Sequence, residues 1–174
     1  FLPGLPVLYQ GDELGLPSIE LKQEELADPV AIRNVIESDG RDGARTPMPW
    51  SGGSEFGFTA GVPWMPIGNR TYEDTVEYQQ ATAGSWLMQY RKLLAIRKEN
   101  FELDAPLRWI TARDSDVISF SRGKLISALN VGASEQTISL PQGVWNLVFV
   151  VGEVSLSGRE VTFGENSAAV LVSQ

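Results

Sequence analysis

The sequence predicts an α+β chain, in which an irregular first part with one long helix is followed by an all-β antiparallel sandwich. Two observations predict this class. Proline and glycine interrupt the first hundred residues, so that only short regular segments fit between them. After residue 106, short alternating apolar and polar runs recur between turn residues, which is typical of a sandwich. We therefore expect two parts, residues 1–100 and residues 101–174.

The first part contains three predicted elements. Residues 5–9 are continuously apolar, which predicts a strand buried on both faces, as in parallel sheets. Because no partner strand is close in the sequence, we expect the rest of that sheet to lie outside this chain. Asp28-Pro29 predicts the start of a helix that runs to about Glu37. Residues 84–98 predict the longest helix, whose apolar stripe would cover the outside of a sheet.

The second part is predicted to contain about seven short strands. They comprise residues 107–111, 117–121, 124–131, 136–140, 145–150, 160–163 and 168–172. Three aromatic residues in these strands, Trp109, Trp145 and Phe149, are expected in the sandwich core, because they occupy alternating positions.

Composition excludes several classes of function. The chain lacks cysteine and histidine, which excludes disulfides, thiolate and histidine nucleophiles and the usual zinc sites. The net charge of −8 argues against nucleic acid and against an anionic membrane as partners, whereas a neutral sugar is compatible with it. We predict no cofactor and no metal. The absence of cysteine fits a cytoplasmic location, which we take as an expectation.

Three segments, in this order, resemble one family of enzymes. Residues 4–15 read GLPVLYQGDELG, residues 40–50 read GRDGARTPMPW, and residues 87–98 read LMQYRKLLAIRK. They are similar to the last strand of the catalytic barrel, the block that follows it and the last barrel helix in α-glucosidases and oligo-1,6-glucosidases of the α-amylase family. The middle segment is the most specific of the three.

The resemblance implies a fold and an activity for a longer parent protein. Residues 1–100 would supply the last strand, loop and helix of a (β/α)8 barrel, and residues 101–174 the sandwich that closes the family's chain. The parent would hydrolyse maltose or short oligosaccharides by a retaining mechanism with paired carboxylates. The family's catalytic carboxylates belong to motifs that do not occur here. We therefore assign no catalytic residue and expect this chain alone to be inactive, with the remainder of the barrel as its partner.

The same resemblance suggests residues that bind the substrate. The first arginine of the middle block, Arg41, would reach the sugar at the non-reducing end, because a guanidinium offers several donors to hydroxyls. The alternative is a structural ion pair with Asp12, Glu13 or Asp42. Arg45 has the same two interpretations, and Tyr9 would either line the sugar site or belong to the core.

Other residues and functions remain as alternatives. Asp12 and Glu13 are expected to hold the loop by hydrogen bonds. Four aromatic residues would pack the loop or stack on sugars: Trp50, Phe56, Phe58 and Trp64. The sandwich could instead be a non-catalytic module that binds carbohydrate or braces the barrel. Within the family, a sucrose- or trehalose-active isomerase or transglycosylase shares the Arg41 block.

Overall fold

The structure is a computed structural model that describes residues 1–33, 40–100, 102 and 104–174. The chain divides into two units. One, here called the loop unit, comprises Pro6–Arg91, and the other, the sandwich unit, comprises Lys92–Gln174 together with Phe1–Leu5. The assignment of residues 1–100 to a barrel concerns the family's complete domain and stays a prediction.

The sandwich unit contains two antiparallel sheets. Its strands are β1 Leu107–Trp109, β2 Val117–Arg122, β3 Leu125–Asn130, β4 Gln136–Ser139, β5 Trp145–Val151, β6 Val154–Ser157, β7 Glu160–Phe163 and β8 Ser167–Ser173. A five-stranded sheet has the order β1-β2-β3-β8-β5, and a three-stranded sheet has the order β4-β7-β6. The strands predicted for residues 107–172 are all present, and β6 is one more strand, which the sequence did not predict.

The core of the sandwich lies between the two sheets. Ile126 and Leu171 of the larger sheet pack with Val161 and Phe163 of the smaller sheet, and all four are fully buried. Burying side chains of this size stabilises the fold by about 1.5–3 kcal/mol each. Trp145, also in this cluster, donates its indole N–H to the carbonyl oxygen of Pro141 (3.0 Å), so its polar atom is satisfied.

The outer face of the five-stranded sheet is covered by a helix. Helix α3, Trp86–Glu99, is the long helix that the sequence predicts, and its last two turns belong to the sandwich unit. Ile96 of this helix packs on Leu125, Phe149 and Val170. Because Leu125 and Ile126 are neighbours on β3, their side chains point to opposite faces of the sheet, and both faces are covered. The expectation that this helix covers the outside of a sheet is confirmed at Ile96.

The prediction of a core position for Trp109 is wrong, although Trp145 and Phe149 are buried as expected. Trp109 is 63% exposed. It belongs to β1, a three-residue edge strand with a neighbour on one side only, and contacts the ring of Phe120 edge-on (5.7 Å between centroids). The alternation of apolar and polar residues therefore predicted the strand correctly. It did not show that this strand lies at the edge of the sheet, where the ring of Trp109 is exposed.

The described part of the loop unit contains two short helices, the beginning of α3 and several 3-10 turns. Helix α1 is Pro29–Ile32 and helix α2 is Val76–Ala81. Asp28 caps α1 as predicted, because its carboxylate accepts a hydrogen bond from the backbone N–H of Val30 (3.0 Å). The predicted extension of this helix toward Glu37 lies outside the described residues.

A buried glutamine connects distant parts of the loop unit. Gln79 of α2 donates to the carbonyl oxygen of Leu14 (2.8 Å) and accepts from the backbone N–H of Leu87 (3.1 Å). Ser85 accepts from the N–H of Met88 (3.3 Å) and so also satisfies a donor at the start of α3.

Within the described ranges, no helix is long and apolar enough to span a membrane.

The prediction of a buried strand at residues 5–9 is wrong for this structure. No strand of the described residues pairs with this segment, and Leu5 and Val7 are 87% and 83% exposed. A strand of the parallel type needs a hydrogen-bonded neighbour on each side and cover on both faces. Without these neighbours, the apolar run forms no strand and lies open to solvent.

Candidate functional site

The site is built on residues 40–46 of the loop unit, here called the arginine block. A 3-10 turn, Asp42–Ala44, separates its two arginines, Arg41 and Arg45. The carbonyl oxygen of Gly43 accepts a hydrogen bond from the N–H of Ile19 (3.1 Å). A Cβ at Gly43 would overlap with the carbonyl oxygen of Ile19. A glycine is therefore required for the two backbone segments to approach this closely.

Asp28 lies beneath the arginine block as a buried carboxylate. Besides capping α1, it accepts hydrogen bonds from the backbone N–H of Arg41 (3.2 Å) and from the Nε (2.8 Å) and Nη2 (3.4 Å) of the same residue. The hydrogen bond from Arg41 is the main reason that the pKa of Asp28 is held well below its usual range, and the backbone N–H of Val30 adds to this effect. The carboxylate therefore stays ionised.

Asp42 is the second buried carboxylate of the site. Its Oδ2 accepts hydrogen bonds from the backbone N–H groups of Ala27 (2.7 Å) and Asp28 (2.6 Å). Short hydrogen bonds to an ionised acceptor are among the stronger ones in proteins. Asp42 thus joins the arginine block to the segment that carries Asp28, so that each aspartate holds the backbone of the other's segment.

The guanidinium of Arg41 is anchored on one side and accessible on the other. Its side chain is 66% exposed, while Nε and Nη2 point to Asp28. The hydrogen bond to Asp28, followed by the charge of that residue, raises the pKa of Arg41, and Tyr9 contributes in the same direction. The sequence predicts Asp12, Glu13 or Asp42 as the ion-pair partner of Arg41, whereas its ion-pair partner among the described residues is Asp28.

Arg45 lies between the two aspartates. Its Nη1 is 3.5 Å from Oδ2 of Asp28 and 3.9 Å from Oδ1 of Asp42, and its side chain is 34% exposed. Two arginines and two aspartates therefore form one cluster whose formal charges cancel. Arg45 makes contacts of the kind that its structural interpretation predicts, and its role toward a sugar stays a prediction.

Tyr9 lies at a small pocket beside the arginine block. The pocket has a volume of about 60 Å³, and its lining includes Tyr9, Gln10, Thr46 and Arg70. Known sites for drug-sized ligands have about 300–1,000 Å³, so this pocket alone does not enclose a sugar. Tyr9 is 49% exposed, which makes it accessible for contact with a ligand.

Arg70 is a further member of this pocket, which the sequence did not predict. Its Nη2 donates to Oγ1 of Thr46 (3.4 Å), and its buried Nε has no hydrogen-bond partner among the described residues. Burial lowers the pKa of Arg70, and the charge of Asp74 opposes this shift. No sequence motif marks Arg70, because its place in the site depends on how residues 65–70 fold back on residues 9–19.

The two carboxylates after the apolar run hold the local loop, as expected. Asp12 accepts a hydrogen bond from the N–H of Tyr9, and Glu13 accepts one from the N–H of Gly11, each at 3.0 Å. Both residues belong to a 3-10 turn, Asp12–Leu14, rather than to a strand end. Among the residues that the structure describes, no group of three or more carboxylates is arranged to hold a metal ion.

The loop aromatics differ in exposure. Trp50 and Trp64 are 50% and 61% exposed, Phe58 is 38% exposed, and Phe56 is half-buried. The backbone around Trp50 is nevertheless held, because its N–H donates to the carbonyl oxygen of Phe56 and its carbonyl oxygen accepts from Glu77 (2.8 and 3.0 Å). The exposed indole ring of Trp50 therefore belongs to a segment whose backbone is held by hydrogen bonds.

Comparison with known proteins identifies the family. The model of the α-amylase catalytic domain matches residues 1–105. A probable α-glucosidase of Rhizobium meliloti is 35% identical over 145 residues, covering 80% of this chain and 26% of that protein. An oligo-1,6-glucosidase of Heyndrickxia coagulans is 29% identical over 198 residues, covering 97% of this chain and 34% of that protein.

Solved structures agree with this assignment. The α-glucosyl transfer enzyme XgtA has a TM-score of 0.80 and 33% identity, covering 96% of this chain and 32% of that chain. The trehalulose synthase MutB of Pseudomonas mesoacidophila MX-45 has a TM-score of 0.82 at 22% identity, covering 99% of this chain and 36% of that chain, and supports the fold alone. This chain spans about a quarter to a third of the length of these proteins. The sequence motifs, the fold and the match to the catalytic-domain model together show that the chain belongs to the α-amylase family.

Proposed function

We propose that this chain is the C-terminal part of an α-glucosidase that hydrolyses maltose or short α-linked oligosaccharides with retention of configuration. Membership of the α-amylase family supports this proposal, and so do the relatives named as an α-glucosidase and an oligo-1,6-glucosidase. In this proposal, Arg41 and Tyr9 contribute to the sugar-binding surface, and Arg45 supports it.

The geometry of Arg41 is the observation that carries the proposal. A guanidinium that is 66% exposed and held from below by a buried carboxylate can direct its remaining N–H groups to ligand hydroxyls. Because the charges of the four-residue cluster cancel, the surface suits an uncharged ligand better than an anion. A sugar has both properties that this surface requires, namely many hydroxyl acceptors and no charge.

The catalytic carboxylates are proposed to lie outside this chain. Retaining hydrolysis needs a nucleophile and an acid/base on either side of the scissile bond, both open to the substrate. Asp28 and Asp42 are each only 1% exposed and accept hydrogen bonds from backbone N–H groups. Both are committed to holding the loop, which leaves the acid–base chemistry to the rest of the parent protein.

The test compares this chain with the full-length protein on p-nitrophenyl α-glucoside. We expect saturable hydrolysis by the full-length protein and no turnover by this chain alone. NMR of the first product formed by the full-length protein should show the α-anomer. Saturable hydrolysis by this chain would overturn the placement of the catalytic groups, and an initial β-anomer would overturn the retaining mechanism.

A second candidate is glucosyl transfer or isomerisation instead of hydrolysis. The observation in its favour is the 33% identity with XgtA, an α-glucosyl transfer enzyme. Product analysis separates the two candidates. The full-length protein should release free glucose from maltose, and an accumulation of longer or rearranged glucosides in place of glucose would favour transfer.

A third candidate assigns carbohydrate binding to the sandwich itself. The exposed indole of Trp109 borders a cavity of about 570 Å³, whose lining also includes Thr111, Arg113 and Ser115. An exposed aromatic face beside hydroxyl groups suits a pyranose ring. Calorimetric titration of this chain with maltose, with a Trp109→Ala variant as control, tests the candidate. Binding that is lost in the variant would support it, and the absence of any heat of binding would leave bracing of the barrel as the role of the sandwich.

A further inference from the structure

We propose that Asp28 is a positioning residue for Arg41, which fixes the guanidinium in the orientation that binds the terminal sugar. This inference rests on the proposed function, because it assigns to Arg41 the contact with substrate. It goes beyond that function because it assigns a role to Asp28. This residue lies 13 residues before Arg41 and is the N-cap of α1, outside the arginine block.

Asp28 is itself rigidly held, as a positioning residue must be. Its carboxylate is fully buried, and the backbone N–H groups of Val30 and Arg41 donate to its two oxygens. Its own backbone N–H is bound by Asp42 (2.6 Å). Neither the main chain nor the side chain of Asp28 is therefore free to move, and the acceptor it offers to Arg41 has a defined place.

The contact with Arg41 restrains the part of the side chain that bears the donors. An arginine exposed to this extent would otherwise sample many rotamers and would lose that freedom on binding a sugar. Nε (2.8 Å) and Nη2 (3.4 Å) both donate to the Asp28 carboxylate, so the plane of the guanidinium is restrained as well as its position. As far as the described residues go, the two N–H bonds of Nη1 and one of Nη2 remain for a ligand.

The charge of Asp28 also selects the kind of ligand. A lone arginine attracts anions such as phosphate, whereas this one is neutralised by the carboxylate it contacts. Arg45 and Asp42 balance each other in the same cluster. Asp28 would therefore both orient Arg41 and favour a neutral terminal sugar over a phosphorylated one.

The experiment uses the full-length protein with Asp28→Asn as the principal variant. Asparagine keeps the shape of the side chain and an oxygen that can cap α1, but it removes the charge and one acceptor. Asp28→Ser is the second variant, because serine also caps a helix yet is too short to reach the guanidinium. Glu25→Gln is the matched control, since Glu25 also accepts a backbone N–H, that of Lys22 (2.9 Å), and forms no ion pair in the described structure.

Three measurements distinguish positioning from a purely structural role. With p-nitrophenyl α-glucoside, kcat/KM should fall by about 10- to 100-fold in Asp28→Asn and Asp28→Ser and stay unchanged in Glu25→Gln. The double variant with Arg41→Ala should be no worse than Arg41→Ala alone, because the two residues act as a unit. By NMR, the Nε–H signal of Arg41 should be protected from solvent exchange in the parent protein and lose that protection in Asp28→Asn.

The possible failures differ from one another. An unchanged kcat/KM in folded Asp28→Asn or Asp28→Ser, while Arg41→Ala is impaired, overturns the positioning role and leaves the proposed function intact. Fully additive effects of Asp28→Asn and Arg41→Ala overturn it as well. An unchanged kcat/KM in Arg41→Ala overturns both the positioning role and the assignment of Arg41 to the substrate.

Discussion

The sandwich unit and the loop unit differ in the kind of contact that stabilises each of them internally. In the sandwich unit, apolar side chains form one cluster between the sheets and another beneath helix α3. In the loop unit, the described contacts that link distant segments are mainly polar, and Gln79 and Asp42 are examples of buried side chains that bind backbone groups far away in the sequence. Paired sheets bury a continuous apolar surface. In an irregular chain rich in proline and glycine, backbone N–H and C=O groups outside helices and sheets each need a separate hydrogen-bond partner.

This difference explains why the candidate site lies in the loop unit. A sugar-binding surface needs side chains at particular orientations, and irregular backbone can provide orientations that a regular strand cannot. The side chains of the arginine block have defined orientations because two buried aspartates, Asp28 and Asp42, hold it by hydrogen bonds, whereas the strands are held by apolar packing. The following predictions test the contrast, in order of decreasing effect on stability.

The largest effect is expected for a truncation in the sandwich core. Phe163 is fully buried between the two sheets, so Phe163→Ala should lower the free energy of unfolding by about 3–5 kcal/mol. Phe58→Ala is the control, because Phe58 is 38% exposed in the loop unit and should cost about 0.5 kcal/mol or less. Urea denaturation followed by circular dichroism measures both, and equal losses would contradict an apolar origin of the sandwich's stability.

A smaller effect is expected for the buried polar contact of the sandwich. Asn130 donates to the carbonyl oxygens of Ser134 and Gly164 (both 2.8 Å) and accepts from the N–H of Gly132 (3.0 Å). Asn130→Ala removes these three hydrogen bonds, although the carbonyl oxygen of Gly164 keeps the one from the Ser167 hydroxyl (2.7 Å), and should cost about 1–3 kcal/mol. Asn146→Ala, at an exposed position of β5, should have little effect in the same denaturation experiment. A cost for Asn130→Ala as small as that of the control would show that water replaces the lost contacts.

In the loop unit, removal of a helix cap should cost about 1 kcal/mol, mostly locally. Thr75 is fully buried, accepts from the N–H of Tyr78 (3.1 Å) and donates to the carbonyl oxygen of Tyr72 (2.6 Å). In Thr75→Ala, hydrogen exchange should accelerate in residues 72–82 and stay unchanged in β3 and β8. Gln80→Ala, at an exposed position of the same helix, serves as the control. Faster exchange throughout the sandwich strands would contradict the separate stabilisation of the two units.

No effect is expected from mild acid on the contacts of Asp28. The pKa of Asp28 is lowered in the folded state. Its contribution to stability is therefore fully present above the pKa of the unfolded state, about 3.9. This contribution is lost only as the pH falls through the lower pKa of the folded state. Between pH 7 and about pH 4.5, the carboxyl carbon shift of Asp28 should therefore stay constant by NMR, assigned by its loss in Asp28→Asn. A titration midpoint at or above the usual value would show that Arg41 does not hold the carboxylate.

Much of the sandwich could be predicted from the sequence, because alternation and turn residues are local signals. The missed strand, β6, also carries such a signal: Val154 and Leu156 are two residues apart and precede a turn at Gly158. At four residues it is short, and it follows β5 after a turn at Gly152. The exposure of Trp109 could not be predicted in this way, because the position of a strand at a sheet edge depends on the order of all the strands.

The candidate site was predictable in its motif and not in its contacts. The segment GRDGARTPMPW identified Arg41 and Arg45 as members of one block. Asp28 was identified only as a helix cap, because nothing local links it to an arginine 13 residues later. The exposure of residues 5–9 was predictable only in part. The apolar run shows a preference for burial, whereas the lack of a partner strand nearby in the sequence is the sign that this chain does not provide that burial by itself.

The half-buried side chain of Ile19 lies between two glycines, and this places a limit on how the site can be redesigned. Its backbone meets Gly43, while a Cβ at Gly68, where φ is +78°, would come within 2.6 Å of the Ile19 Cδ1 atom. Ile19 therefore contacts the arginine block through its backbone and Gly68 through its side chain. A larger residue at position 19 would press on Gly68 and on the segment that carries Arg70, so the size of this side chain limits how closely residues 65–70 can approach residues 9–19.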